Sequence, residues 1–151
     1  MYLAIISDIH SNYMALENAL CQLEGLHPDG MIFLGDYLTD FPYPQNTLRL
    51  IDECCATFPC WFVRGNREDY LLSHRRDPTD GWRYSSSSGS LLYTYENLTK
   101  DDLDRFENMP ISLDIDFAAL TGDSSLPPLS ACHASPRATK EWIMNRPALI
   151  E

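Results

Sequence analysis

Three short apolar runs, "YLAIIS", "GMIFLGD" and "CWFVRGN", each give way to polar residues, and the intervals between them carry helical patterns. "NYMALENALCQLEGL" spaces its apolar residues three and four apart, with Asn12 placed to cap the helix and Gly25 near its end. "PYPQNTLRLIDECC" starts a second helix after its prolines. The order is βαβαβ, and right-handed crossovers make such strands parallel. Their carboxyl ends then lie along one edge, where open parallel sheets bind ligands. The expected class is α/β.

The second half breaks this alternation. "HRRDPTDGWRYSSSSGS" mixes charges, turn residues and serines, which predicts a loop or lid over residues 73–90, either with Trp82 and Tyr84 in a pocket wall or as a flexible surface loop without a role. "LTKDDLDRFENMP" predicts a short helix capped by Thr99 and stopped before Pro110. "ISLDIDFAAL" alternates as a strand does, "TGDSSLPP" is a turn, and "LSACHA" is another short strand. Trp142 and Ile143 fall on a last helical segment. No repeat or linker divides residues 1–151, which read as a single domain.

The strand ends carry groups that a core rejects. The first places Asp8 and His10, the second Gly35 and Asp36, the third Gly65 and Asn66, and the later strand adds His133. Taken singly, these are ordinary caps, turns or a core histidine. Gathered at one edge, they would bury unpaired charge at a cost of several kcal/mol, and cations supply the missing partner. Carboxylate, imidazole and amide oxygen suit manganese, iron or zinc better than a thiolate site would. Asp36, on the middle strand, can bridge two ions about 3.5–4 Å apart. Asp8 and His10 would serve one ion, and Asn66 and His133 the other.

Composition narrows the partners. A net charge of −11 argues against a general nucleic-acid or anionic-membrane surface. No apolar run approaches the ~20 residues of a membrane span, and the start lacks the basic region of a signal peptide. Cys21, Cys54, Cys55, Cys60 and Cys132 form no zinc-type pairing, and their odd count predicts reduced thiols in a cytoplasmic protein.

The segments "SDIHSN", "LGDYLTD", "RGNRE" and "ACHASP" resemble, in order, the D-x-H, G-D-x-x, G-N-H-[DE] and later histidine motifs of the calcineurin-like metallophosphoesterases. The variants are most similar to the compact bacterial branch, which includes phosphodiesterases and protein phosphatases. The resemblance implies layered sheets with flanking helices and two divalent ions that activate water for in-line attack on phosphorus. It implies that Asn66 binds metal near the phosphate, and it makes Asp40 an acceptor that orients a ligand.

Two departures qualify this. Arg67 stands where the family has a histidine. A guanidinium keeps its proton near neutral pH, so Arg67 either clamps phosphate or pairs with an acid on the rim. The closing G-H-x-H has no counterpart, since His27 and His74 read as loop histidines. A C-terminally truncated site is therefore expected, with five ligands where the family uses seven and with metal positions only partly filled. An unpaired sheet edge would invite a homodimer. The expected function is metal-dependent hydrolysis of a phosphate mono- or diester. The alternative is a weak or inactive relative acting as a metal-binding or interaction module.

Overall fold

The computed structural model describes residues 2–141 of the 151. Trp142 and Ile143, expected on a helix, lie outside the described residues. The first half contains β1 (Leu3–Ile6), α1 (Tyr13–Glu24), β2 (Gly30–Phe33), α2 (Pro44–Thr57) and β3 (Cys60–Phe62). The strands form one parallel sheet in the order β1-β2-β3, with Ile5 opposite Ile32 and Ile32 opposite Trp61. Asn12 caps α1 by accepting the Ala15 N–H at 3.2 Å, and Pro44 opens α2, where its missing N–H costs nothing.

The second half contains α3 (Asn66–Arg76), α4 (Gly89–Glu96), α5 (Lys100–Asn108), β4 (Ser112–Ile115), α6 (Phe117–Thr121) and β5 (Leu129–Cys132). Thr99 caps α5 as expected, accepting from the Asp102 N–H at 3.1 Å while the Asp102 carboxylate accepts the Thr99 N–H at 2.8 Å. β4 and β5 pair antiparallel, with Leu113 opposite Ala131.

Side-chain alternation along β2 explains the layering. Met31 and Phe33 face a core with Leu16, Ile51, Leu71 and Phe106 from the helices. Ile32, between them, faces the other way and packs with Val63 against Ile115 and Ala131 of the β4–β5 pair. The central strand is thus buried on both sides, which its unbroken apolar sequence requires. No helix among the described residues is long and apolar enough to cross a membrane.

Three expectations fail on secondary structure. The segment over residues 73–90 is a loop only from 77 to 88, because α3 runs to Arg76 and α4 starts at Gly89. α3 escaped the pattern search because it buries Glu68 and His74 together with Leu71 and Leu72, which leaves no apolar stripe. His74 consequently lies in a helix and not in a loop. "ISLDIDFAAL" is a strand only to Ile115. The Asp116 carboxylate then accepts the Ala119 N–H at 2.9 Å and starts a single helical turn, which Gly122 ends at φ 75°.

Candidate metal centre

The loops after β1 and β2 continue the sheet's hydrogen bonding past the strands. Asp8, His10 and Ser11 donate their N–H groups to the carbonyls of Gly35, Asp36 and Tyr37 at 3.2, 3.0 and 2.9 Å. This zipper uses unusual backbone. Asp8, His10, Ser11, Asp36, Thr39 and Asp40 all have positive φ, between 52° and 82°. Left-handed backbone costs an ordinary residue roughly 1–2 kcal/mol, and such strain concentrates where geometry serves a site.

The two glycines have a steric reason. A Cβ on Gly35 would stand 2.5 Å from the Gly65 nitrogen, and one on Gly65 would stand 2.3 Å from Asp36 Oδ1. The loops after β2 and β3 touch there. Glu68, fully buried in the first turn of α3, fastens them: its carboxylate accepts the N–H groups of Asp36, Tyr37 and Gly65 at 2.9, 2.9 and 3.0 Å. Tyr37 adds a peg from below, donating its hydroxyl to the Val63 carbonyl at 2.5 Å.

These loops bring all five candidate ligands to one place. Asp8, Asp36 and His133 each offer a ligand atom within 4.8 Å of the others. His10 Nε2 stands 3.6 Å from Asp8 and 3.8 Å from Asp36 Oδ2. His133 Nε2 stands 3.6 Å from Asp36 Oδ1 and 3.1 Å from Asn66 Oδ1. Asp36 therefore lies between two imidazoles, one toward each carboxylate oxygen. Asp40 Oδ2 is 3.2 Å from both His10 Nδ1 and Arg67. The contact with His10 lies off the line of a ring N–H bond, so no hydrogen bond forms there.

The electrostatics suit a cation. Asp36 is only 4% exposed. Burial is the main influence on its carboxyl and pushes it above the usual carboxylate range. The Arg67 N–H, donated at 2.8 Å, and the imidazoles of His133 and His10 pull the other way, while Asp8 adds to the rise. His133 is oriented from behind. Its Nδ1 donates to the Leu34 carbonyl, which can only accept, at 2.7 Å. Nε2 then faces the oxygens of Asn66 and Asp36. Carboxylate, amide oxygen and imidazole converging on one space make a donor set that a divalent cation fits.

Glu68 was missed as a positioning residue. Its one sequence signal was its place three residues after Gly65, the third position of a helix opening there. Arg67 and Tyr70 also line the site cavity of about 380 Å³, as does Lys140, whose ammonium sits 5.0 Å over the Tyr70 ring. A separate cavity of about 290 Å³ between α1 and α2 holds no comparable ligand set.

The profile of the calcineurin-like phosphoesterases matches residues 1–143. Two solved structures share the fold. One is a hypothetical protein of Pyrococcus horikoshii OT3, at a TM-score of 0.77 and 22% identity, over 97% of this chain. The other is a metallophosphoesterase of Sphaerobacter thermophilus, at 0.55 and 24%, over 75% of this chain. The chain spans 60% of the first relative's length and 42% of the second's. No functionally curated protein matches it.

Proposed function

This chain belongs to the calcineurin-like phosphoesterase family, and from that premise we propose that it hydrolyses a phosphate mono- or diester at two divalent cations. Asp8, His10, Asp36, Asn66 and His133 would hold them. The observation that carries this reading is the buried Asp36 carboxylate set between two imidazoles, with His133 Nε2 turned toward it. Manganese, iron and zinc all accept this donor set. When bound, such ions supply the Lewis acidity that polarises a phosphate and acidifies water.

The protein's own residues then have distinct tasks. Asp36 presents one oxygen toward each imidazole, the arrangement a bridging carboxylate needs. Asn66 places its amide beside His133 in the wall of the same cavity. Asp40 steadies both His10 and Arg67. In the proposed hydrolysis, water would add to phosphorus and release one proton to solvent, the bond from phosphorus to the leaving oxygen would break, and that oxygen would take up a proton that Arg67 does not supply, because a guanidinium keeps its own.

Metal analysis together with hydrolysis of p-nitrophenyl phosphate and bis-p-nitrophenyl phosphate tests the proposal. Bound transition ions and manganese-stimulated turnover support it. An absence of both would favour the non-catalytic module instead. Arg67 would act by binding charge, so Arg67→Ala should raise KM by about tenfold and change kcat less. Arg67→Lys should not restore it, because a point charge cannot replace a planar fork. Unaltered kinetics in the alanine variant would refute this role.

All five cysteines are free thiols, which supports a reducing compartment such as the cytoplasm. Self-association has one support in the structure. Ile5 on the edge strand β1 is 61% exposed, although Ile32 opposite it is 1% exposed, so the β4–β5 pair leaves Ile5 uncovered while Leu3 packs against the Ile32 cluster. Two copies joined along β1 would cover it. Light scattering should then show a dimer that Ile5→Lys dissociates, and a wild-type monomer at high concentration would end the idea.

A further inference from the structure

Arg67 and Tyr70 form a wall shared by two cavities. On one side lies the candidate metal centre; on the other lies a cavity of about 330 Å³ that also touches Ser73, Asp80, Trp82 and Ser87. The second cavity therefore lies within reach of the remainder of a phosphoester held at the centre.

The second cavity contains a fixed aromatic surface. The Trp82 indole stacks on His74 with ring centres 4.2 Å apart and planes at 2°. His74 is itself immobile: it is 7% exposed, its Nδ1 lies 2.9 Å from both Asp80 oxygens, and Tyr95 meets it edge-on at 4.7 Å. Asp80 also accepts the Trp82 N–H at 3.2 Å, tying the loop to the same group. One face of the indole is therefore occupied, and the half-buried ring borders the cavity in a set orientation. Such a surface binds a flat ring at little entropic cost.

The geometry points to a nucleobase subsite, so that the substrate is a nucleoside phosphoester. The base would lie on Trp82, the sugar hydroxyls beside Asp80, Ser73 and Ser87, and the phosphate past Arg67 at the metal centre. A carboxylate retains acceptor capacity beyond its bonds to His74 and Trp82, which suits hydroxyl donors. The same carboxylate repels a second phosphate, which favours a monophosphate ester over a polyphosphate. The volume falls within the usual range for small ligands and is too small for a folded partner. This inference rests on the phosphoesterase reading, and it adds the class of leaving group.

The test is tryptophan fluorescence of the manganese-supplemented protein, titrated with adenosine 5′-monophosphate, ribose 5-phosphate and inorganic phosphate. Adenosine monophosphate should quench the emission and bind at least about tenfold more tightly than ribose 5-phosphate, as stacking of one base provides. Trp82→Leu should remove both the quenching and the preference while leaving phosphate binding intact. Ser87→Phe, which fills the cavity from the side opposite His74 and adds no tryptophan emission, should remove the preference independently. Equal affinities in the wild type, or a preference that survives both variants, would overturn the subsite. Hydrolysis without base preference would sink the subsite and spare the phosphoesterase reading. Base-dependent binding without hydrolysis of any ester would do the reverse.

Discussion

Asp36→Asn is expected to abolish manganese-induced stabilisation and to lower phosphoester hydrolysis by about a thousandfold or more, the scale of losing a principal electrostatic group. The same change should leave the metal-free protein as stable as before, or slightly more so. The reasons are separable. An amide keeps the oxygen that accepts the Arg67 N–H at 2.8 Å. It also removes a charge that burial disfavours, since the folded state pushes the Asp36 carboxyl upward. Without cations that charge is a cost, and under the proposed function bound cations would offset it. Thermal melts with and without manganese, read beside metal content, decide the matter. A variant that still gains stability from manganese would show that Asp36 does not hold the ions.

Glu68→Ala should cost at least about 3 kcal/mol, because three buried N–H groups lose their acceptor and each orphaned donor costs about 1–3 kcal/mol. Urea denaturation with an unchanged slope would measure it. Metal affinity should fall as well, since the loops after β2 and β3 lose the group that fastens them. The pH dependence gives a second reading. Burial, with the Asp36 charge next, pushes Glu68 up from 4.5 to about 7, against the pull of its three N–H bonds. Between those values the folded state binds the proton more tightly than the unfolded chain does. Stability contributed by Glu68 is therefore full below pH 4.5 and is lost as pH rises through about 7. Glu68→Gln, which cannot ionise, should flatten that part of the metal-free stability curve. An identical slope in the two proteins would contradict the assignment.

Several features were open to reading because their causes are local. Apolar runs four to six residues long, broken by capped helical patterns, can pack in few ways other than as parallel strands with crossovers. Asn12 and Thr99 were visible as caps because a cap bonds within its own turn. The five candidate ligands were nameable for a related reason: the order of the elements decides which ends of the strands meet. The family profile over residues 1–143 agrees with the motif series found in the sequence.

Other features needed the folded chain, and each depends on residues distant in sequence. α3 was hidden because its buried side chains include a carboxylate and an imidazole, which only their partners make tolerable: backbone N–H groups thirty residues earlier for Glu68, and Asp80 with Trp82 for His74. The orientation of the His133 ring is set by a carbonyl ninety-nine residues away. The shared wall of Arg67 and Tyr70, and the cavity behind it, exist only once the loop from 77 to 88 has closed over α3. The sequence by itself determined the alternating α/β order and the chemical kinds gathered at the sheet's edge, because periodicity and strand direction act over short range. Tertiary structure alone decided which of those groups are buried, which face one another, and what stands beside them, because burial and hydrogen-bond partnership are properties of the assembled surroundings.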